Sequence, residues 1–491
     1  MRSPRSPRAS ARVRALLVAS AGALATLGAA CGGGQTQGEA FDPRWKDDGG
    51  AGITAFAQRL AAQQLAGRPI PLGADVAVGV AGDGARRLVG VPLDGGPAWT
   101  FAHPLDARPA VAGSVVVGLG QGELFALDAR TGRPLWTRNA GGRLRGAGDD
   151  GETTVVSLVS TTGSTSVVLA IGHDGMVQRQ IEDEAAIGVP AVVGRHALLP
   201  WHGRYVTVFD LQTGGEVARG VFQAPVSHAF LSGGAIFFGG ASAATRLDGA
   251  IGLGAAGRAS TVALPDRGLP GAPVWMADGT DVLPPVASAS DRARLYARPR
   301  ARGAAGVEGG RFAATYLRIA AGFDARSGAL AWVHAADADL LGGAAYAGGF
   351  ALCDARGEVT LLDAQRGTVA RRASLGQPVA ACVVQADGLT AAELPGAPAG
   401  APPGGEPSAS RAGRLAAQIE RAVTLPQPEL LPMQRLLLRE LAALPGEGAT
   451  RALSDLASDA ATPPSLAEDA REALAARLDG GGDIPEATPS P

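Results

Sequence analysis

The strongest constraint in this chain is a short unit that returns along it. Its fullest copy is Leu124–Trp136, LFALDARTGRPLW. Successive side chains of a strand point to opposite faces, so Phe125 and Leu127 share one face and Leu124 and Ala126 the other. Both faces are apolar, which predicts a strand with neighbours packed on each side. Asp128 can accept hydrogen bonds from nearby backbone amides and Gly132 can take a positive φ, so DARTG makes a tight return, Thr131 included. Pro134 lacks an amide hydrogen and suits an edge strand, and Trp136 supplies a large amphipathic ring.

The same hairpin is laid along Val76–Arg372 with varying fidelity. Leu93–Gly96 with Trp99 is a shortened copy, and Leu169–Gly175 keeps only the strand and the turn. Asp210 with Gly214 restores the turn, and Leu247-Asp248-Gly249 is a remnant. Asp324, Gly328 and Trp332 make a nearly complete copy, and Asp363 with Gly367 closes the series. Taking positions 94, 128, 172, 210, 248, 324 and 363 as a ruler gives intervals of 34, 44, 38, 38, 76 and 39. A period near 38–40 with four short strands per unit is the signature of a β-propeller. The expected class is all-β, with seven four-stranded blades favoured and eight as the alternative. The long interval hides either an eroded eighth blade in Gly249–Arg318 or one blade with a long insertion. In the latter case Arg294–Tyr296 and Thr315–Leu317 are two strands of a single blade. Pro378–Leu394 lacks a second hairpin and is expected to complete the ring against the first blade, since an unclosed ring leaves strand edges unpaired.

Composition agrees with this class and narrows the partners. Glycine is frequent, at 71 residues, while aromatics make up 4% of the 491 residues, as in a chain of many short Gly-bounded strands. Basic and acidic residues number 44 and 46, a balance that argues against nucleic acid as the main partner. Three cysteines, Cys31, Cys353 and Cys382, are too few for a disulfide scaffold.

The ends carry different information. Met1–Arg14 holds five arginines and no acid, and Ala15–Ala30 is an unbroken small and apolar run, so residues 1–30 read as a secretory signal peptide. Leu27–Cys31 is similar to a bacterial lipobox, with lipid attached at Cys31; an ordinary secreted protein with an incidental cysteine is the alternative. Gly32 at the following position is not the aspartate of the inner-membrane sorting rule, so the resemblance favours the outer membrane. Residues 31–73 are expected to form a lipidated tether followed by a short amphipathic helix, its Ile53, Phe56 and Leu60 packing on the folded body as a plug or clasp. Residues 74–394 are the expected propeller, 395–410 a Pro/Gly-rich linker, 411–478 a helical region and 479–491 a disordered tail. In the helical region Leu437, Leu438, Leu441 and Leu444 form one stripe. Leu466, Ala470, Leu474 and Leu478 form another, behind a capping box of Ser465 and Glu468. An internal likeness at an offset of 36 residues is similar to HEAT-type helical pairs; a simple four-helix appendage is the alternative.

The Asp-Ala-x-Thr/Ser-Gly-x-x-x-Trp pattern of Asp128–Trp136 and Asp324–Trp332 resembles the pyrroloquinoline-quinone-type repeat. The resemblance covers about two-thirds of the chain. It implies that Trp136 and Trp332 pack across to a neighbouring blade. It points to two kinds of relative, quinone-dependent dehydrogenases and non-enzymatic propellers such as the BamB-like outer-membrane assembly lipoproteins. A dehydrogenase of this kind implies calcium ligands, a catalytic aspartate and an adjacent cysteine pair, whereas Cys353 and Cys382 lie 29 residues apart. For those two, buried thiols are the favoured reading and a disulfide formed outside the cytoplasm the alternative. No histidine pair has metal-ligand spacing, and no phosphate loop or nucleophile elbow stands out. Asp149-Asp150 and Glu182–Glu184 could line a mouth that binds a cation or a basic partner, but solvated loops are the favoured reading. The arginine run from Arg292 to Arg302 in the long insertion reads either as a contact for acidic lipid or protein or, equally, as an exposed arginine-rich loop.

The expectation is therefore a non-enzymatic, lipid-anchored scaffold of the cell envelope, monomeric, with protein partners, no catalytic residue, no metal and no cofactor. A calcium- and quinone-dependent dehydrogenase and a cell-wall or carbohydrate-binding module are the alternatives.

Overall fold

The computed structural model describes residues 40–42, 52–60, 73–389 and 408–479, apart from 54, 57, 82–86, 107, 223–225, 233–234, 240–242, 248–258, 264–292, 297–310, 325–328, 347, 387 and 427. Cys31, Gly328 and the expected tail from residue 480 lie outside the described residues.

The Gly-bounded apolar runs form short strands that meander into antiparallel sheets. Blade 1 opens with β1 (Val76–Ala81), β2 (Leu88–Pro92) and β3 (Trp99–Phe101). Blade 2 holds β4 (Ala110–Ala112), β5 (Val115–Gly120), β6 (Glu123–Asp128) and β7 (Pro134–Asn139). Blade 3 holds β8 (Arg143–Asp149), β9 (Thr153–Val159), β10 (Ser166–Gly172) and β11 (Val177–Asp183). Blade 4 holds β12 (Ala191–Val193), β13 (His196–Trp201), β14 (Tyr205–Asp210) and β15 (Glu216–Val221). Blade 5 holds β16 (His228–Ser232), β17 (Ala235–Gly239), β18 (Ala243–Leu247) and β19 (Ala259–Ala263). Blade 6 holds β20 (Ala293–Tyr296), β21 (Arg311–Tyr316), β22 (Ile319–Asp324) and β23 (Leu330–Ala335). Blade 7 holds β24 (Leu340–Tyr346), β25 (Gly349–Asp354), β26 (Glu358–Asp363) and β27 (Val369–Ser374).

The last strand, β28 (Val379–Gln385), returns to blade 1 and pairs antiparallel with β1, Val78 opposite Val383. Seven four-stranded sheets are therefore present among the described residues, and blade 1 is completed from both ends of the ring. The first strands of successive blades neighbour one another, and β28 neighbours both β24 and β4, so these strands lie innermost. The long interval between Asp248 and Asp324 is shared by two blades. β19 finishes blade 5, and β20 begins blade 6 by pairing with β21, Arg294 opposite Thr315.

Among the described residues six of the seven seams have a core of their own, as strands apolar on both faces require. Phe125 and Leu127 pack with Val76, Val78 and Trp99 of blade 1. Leu124 and Ala126 pack with Leu144, Val156 and Ile171 of blade 3. All four are fully buried, and truncating Leu124, Phe125 or Leu127 to alanine costs about 2–5 kcal/mol.

The helical region begins at α1 (Ser408–Val423), three residues inside the expected linker, and continues as α2 (Leu431–Ala443), α3 (Glu447–Ser458) and α4 (Pro464–Asp479). Leu415, Ile419, Leu437, Leu441 and Leu453 join Tyr316, Ile319, Phe323 and Val333 of blade 6 in one core. The helices thus cover the face of blade 6 opposite to that of Trp332. Two expectations for α4 fail. Pro464 is its first residue and the Pro463 carbonyl accepts from the Leu466 and Ala467 amides, so Ser465 stands inside the helix rather than capping it. Leu478 is 66% exposed, because the helix outruns its partners after Leu474.

Candidate functional site: turns, seams and straps of the ring

Asp128 accepts at Oδ1 from the Arg130 amide (3.1 Å), the Thr131 amide (2.8 Å) and the Thr131 hydroxyl (2.7 Å). Gly132 follows at φ 68°, a left-handed conformation that disfavours any side chain. Asp210 repeats the turn with Gln212 and Thr213, and Gly214 at φ 75°. Asp363 repeats it with Gln365 and Arg366, and Gly367 at φ 66°.

These turns receive the neighbouring blade. Trp332 lies over Gly367 and donates its Nε1–H to the Ala364 carbonyl at 2.8 Å. Trp99 lies over Gly132 and donates to the Ala129 carbonyl at 3.0 Å. The Ala129, Ala364, Leu211 and Leu93 amides each bond back to the turn before their own blade's second strand, so the four positions are equivalent. The equivalent of Asp128 in blade 1 is therefore Pro92 rather than Asp94, because the first turn is shortened.

With the register set, two docking residues emerge that the motif conceals. Arg371 stands opposite Leu361 as Trp136 stands opposite Ala126, and it donates to the Leu93 carbonyl at 3.0 Å across the closing seam. Arg179 stands opposite Ala170 and donates to the Leu211 carbonyl at 3.2 Å. Guanidinium donors thus reach the same carbonyl that tryptophan uses elsewhere. Trp136 packs into the seam between blades 2 and 3 beside Gly175, but its buried Nε1–H has no hydrogen-bond partner.

In blade 4 the docking position holds Ala218, fully buried and opposite Val208. Here the N-terminal segment enters. Phe56 is 2% exposed, in one core with Ala218, Phe222, Val226 and Phe238, flanked by Ile53 and Leu60. Gly52 pairs in parallel with Arg219 of β15, whose guanidinium holds Glu216 at 2.5 Å. Upstream, Phe41 packs edge-on against Trp201 with centroids 5.6 Å apart, and the Ala40 carbonyl accepts from Thr207 Oγ1 at 3.0 Å. The expected clasp at Ile53–Leu60 is thus on the body. The tether expected from residue 31 is interrupted by the buried pair Ala40–Phe41, wedged in the core between blades 3 and 4.

Cys353 of β25 and Cys382 of β28 form a disulfide, with Cα atoms 6.4 Å apart. Both are fully buried, where free thiols were the favoured reading. The ring brings together two strands that 29 residues of sequence separate, and the bond ties blade 7 to the closing strand. Asp75 adds to that closure, since its Oδ1 accepts from the Gly388 and Leu389 amides at 2.9 and 3.0 Å. Burial pushes the Asp75 carboxyl up to about 6 despite those amides.

The two acidic runs do not meet. Asp149 and Asp150 lie at the end of β8, and Glu182–Glu184 at the opposite end of blade 3, where β11 finishes. The Asp149 side chain is fully buried and accepts from the Ser114 amide and hydroxyl, the Gly151 amide, the Thr154 hydroxyl and His173 Nε2 at 2.7 Å. Burial opposes its charge, but the His173 bond and the amides outweigh it and hold the carboxyl below its ordinary range. The Asp149 bond raises His173 in turn, against its own burial. Serine and histidine both bond to the aspartate rather than to each other, so the cluster ties blade 2 to blade 3 and activates no nucleophile. Among the described residues no three His, Cys, Asp or Glu side chains gather as a metal site. Of the arginine run only Arg294 is described, in β20.

Seven four-stranded sheets among the described residues and a closing strand define a β-propeller, and its turn-and-tryptophan unit is similar to the pyrroloquinoline-quinone-type repeat. The family model described as outer membrane protein assembly factor BamB matches residues 87–244, from β2 through the start of β18. No curated protein matches the chain by sequence. Among solved structures the chain is similar to BamB from Moraxella catarrhalis, at 16% identity over 62% of this chain and 84% of that one, with a TM-score of 0.34. It is also similar to the computationally designed Ika8 protein, at 12% identity over 56% and 89%, TM-score 0.33. A third likeness is KlHsv2 with loop 6CD replaced by a Gly-Ser linker, at 10% identity over 55% and 81%, TM-score 0.34.

Proposed function

We propose that this protein is a non-enzymatic scaffold of the bacterial cell envelope, anchored in the outer membrane by lipid on Cys31, whose propeller serves protein partners in outer-membrane protein assembly. The observation that carries the reading is how the motif residues are used. Asp128, Asp210 and Asp363 with their glycines turn a strand, and Trp136 and Trp332 join two blades, so a quinone-type repeat here needs no quinone to explain it. The family match over residues 87–244 supports the partner class, and the Cys353–Cys382 bond supports export, because such bonds persist outside the reducing cytoplasm. The rigid ring supplies preorganised turns and outer strands. The outermost strands β7, β11 and β27 are largely exposed, so partner strands or loops find fixed backbone groups there.

In-cell crosslinking of the lipidated protein, followed by identification of what is attached, tests this reading. Capture of outer-membrane assembly components is the expected result. Tight stoichiometric quinone binding with dye-linked alcohol oxidation would replace it with the dehydrogenase reading.

A further inference from the structure

We propose that the outer edge of blade 4 and the seam between blades 4 and 5 form a peptide-binding groove, held closed by residues 52–60. A protein partner enters the groove by displacing this strap with a segment of the same chemistry. The inference rests on the scaffold reading above for the existence of a partner, and goes beyond it in naming the surface and the partner's motif.

Three observations carry it. First, blade 4 has no long docking side chain of its own. Where blade 6 places Trp332 and blade 7 Arg371, β15 carries the buried Ala218, and two residues on stands Gly220. A Cβ on Gly220 would lie 2.8 Å from Cγ2 of Ile53, so the bare backbone is what admits that side chain. Phe222, Val226, Ile236 and Phe238 wall the groove that these small residues leave. Second, the strap fills it with apolar side chains at helical spacing. Phe56 is 2% exposed and stands edge-on to His196, with centroids 5.2 Å apart, while Ile53 and Leu60 flank it. The Gly52 carbonyl accepts from the Ala55 and Phe56 amides, so the helical turn starts at the residue that pairs with Arg219. Third, β15 is the last strand of its sheet among the described residues, and Gly52 uses its outer edge in parallel. Arg59 adds a bond to the Val217 carbonyl at 3.4 Å. A strand edge beside an apolar groove is how extended peptides are recognised, with backbone bonds supplying affinity and the groove supplying specificity.

The strap is held differently from the ring's permanent closure. There β28 pairs with β1 from Val76 to Ala81, and a disulfide ties it to blade 7. Here, among the described residues, the backbone pairing is a bridge at Gly52, and Ile53, Phe56 and Leu60 supply the apolar contact. The entropy of ordering the segment opposes that contact, so the strap can open locally while the ring stays folded. Opening bares Ala218, Phe222 and the edge of β15 together. The strap itself is the template for what then binds: an extended residue, followed by a helical turn with large apolar side chains at i, i+3 and i+7.

The test uses the full-length chain as wild type, Phe56→Ala and the milder Leu60→Ala, with a fluorescent peptide of residues 50–62 read by anisotropy. Freeing the groove should tighten peptide binding about tenfold in Phe56→Ala and about threefold in Leu60→Ala. A peptide that itself carries Phe56→Ala should bind none of the three. Equal affinity in all three chains, or binding that survives the change in the peptide, would overturn the groove. In cells, a photo-crosslinking residue at Val221, 44% exposed at the end of β15, should capture more partner in Phe56→Ala than in the wild type. The crosslink should map to a segment with the strap's spacing. Capture unchanged by Phe56→Ala, or mapped to the strap of a second copy, would overturn the inference and leave the scaffold reading standing. A ring that captures no partner from any surface would overturn the scaffold reading, whatever the peptide does.

Discussion

Two sectors of the ring are held together by different means. At the seams from blade 6 through blades 7 and 1 to blade 2, the contact is local and repeated. A docking residue eight positions after the turn, seven after the shortened first one, reaches a carbonyl on the next blade: Trp332 to Ala364, Arg371 to Leu93, Trp99 to Ala129. From blade 3 to blade 6 the repeat is eroded. Arg179 survives as a donor, but Ala218 has no reach, and distant parts of the chain take over. Ala40–Phe41 enters the seam between blades 3 and 4, Phe56 the next one, and the four helices cover the following face of blade 6. One sector is built by a motif, the other by appendages. Loss of the repeat signal along a propeller therefore need not mean a loose ring; it can mark where the chain's own termini have moved in.

The two sectors should differ most at their aromatic anchors, Trp332 and Phe56. Trp332→Ala should cost about 3–5 kcal/mol, read as a lower midpoint of cooperative denaturant unfolding. Phe56→Ala removes as deeply buried a ring, yet its loss should fall on the strap. Amide exchange should rise in β15 and proteolysis should appear near residue 52 before the global midpoint moves. Global unfolding at equal cost in both variants would mean that the two sectors are one cooperative unit.

Replacing Cys353 and Cys382 together by alanine should cost about 3–4 kcal/mol, from the 29-residue loop that the bond closes. Reductant should lower the wild-type midpoint and leave the double variant unchanged. A wild-type protein insensitive to strong reductant under unfolding conditions would sink the assignment.

The seam between blades 2 and 3 should respond to pH. His173 is raised by Asp149, so its contribution is complete below the ordinary histidine value of 6.5 and is lost as pH rises through its higher folded value. Asp149 is lowered, with burial opposing and the His173 bond prevailing, so its contribution is present above 3.8 and is lost as pH falls through its lower folded value. Stability from this pair is therefore greatest between those limits. Moving from pH 6 to 9 should weaken the wild type by less than about 1 kcal/mol, and His173→Gln should flatten that decline.

The smallest effect separates two tryptophans that look alike in sequence. Trp332→Phe removes a buried hydrogen bond and leaves the Ala364 carbonyl unpaired, costing about 1–2 kcal/mol. Trp136→Phe removes an unpaired buried donor and should stay within about 0.5 kcal/mol of the wild type. Matching losses would show that Trp136 bonds in solution.

The division between sectors also explains what could be read from the residues alone. Leu124–Trp136 was legible because period-2 apolar faces, a turn aspartate and a positive-φ glycine are local properties, and the blade period follows from repeating them. Seven blades rather than eight became clear only once β19 and β20 found partners, since short strands between long loops carry little pattern of their own. Arg371 was hidden because the motif names a residue type, whereas the physical requirement is a long donor at a fixed register. A search for tryptophan or arginine eight residues after the turn would have found it. The disulfide was illegible for another reason: 29 residues of separation say nothing about distance until β28 has crossed back to blade 1. Ala40 and Phe41 fall in the expected tether because two apolar residues make no pattern, and their burial depends wholly on the seam they enter.

The return of β28 to β1 also sets an order of events in time. The chain emerges from its N-terminus, so the inner edge of β1 is made early, while the strand that covers it follows roughly 300 residues later. That edge waits for its partner until the rest of the ring has followed it. Without β28, blade 1 would keep three strands and an edge of open backbone groups able to recruit strands from other molecules. The crosslink at Cys382 comes later still, fixing an edge that has already been closed. Crowded export should therefore be the step at which this protein is most exposed to misassembly, and slowing the arrival of residues 379–385 should damage its yield more than weakening any blade made before them.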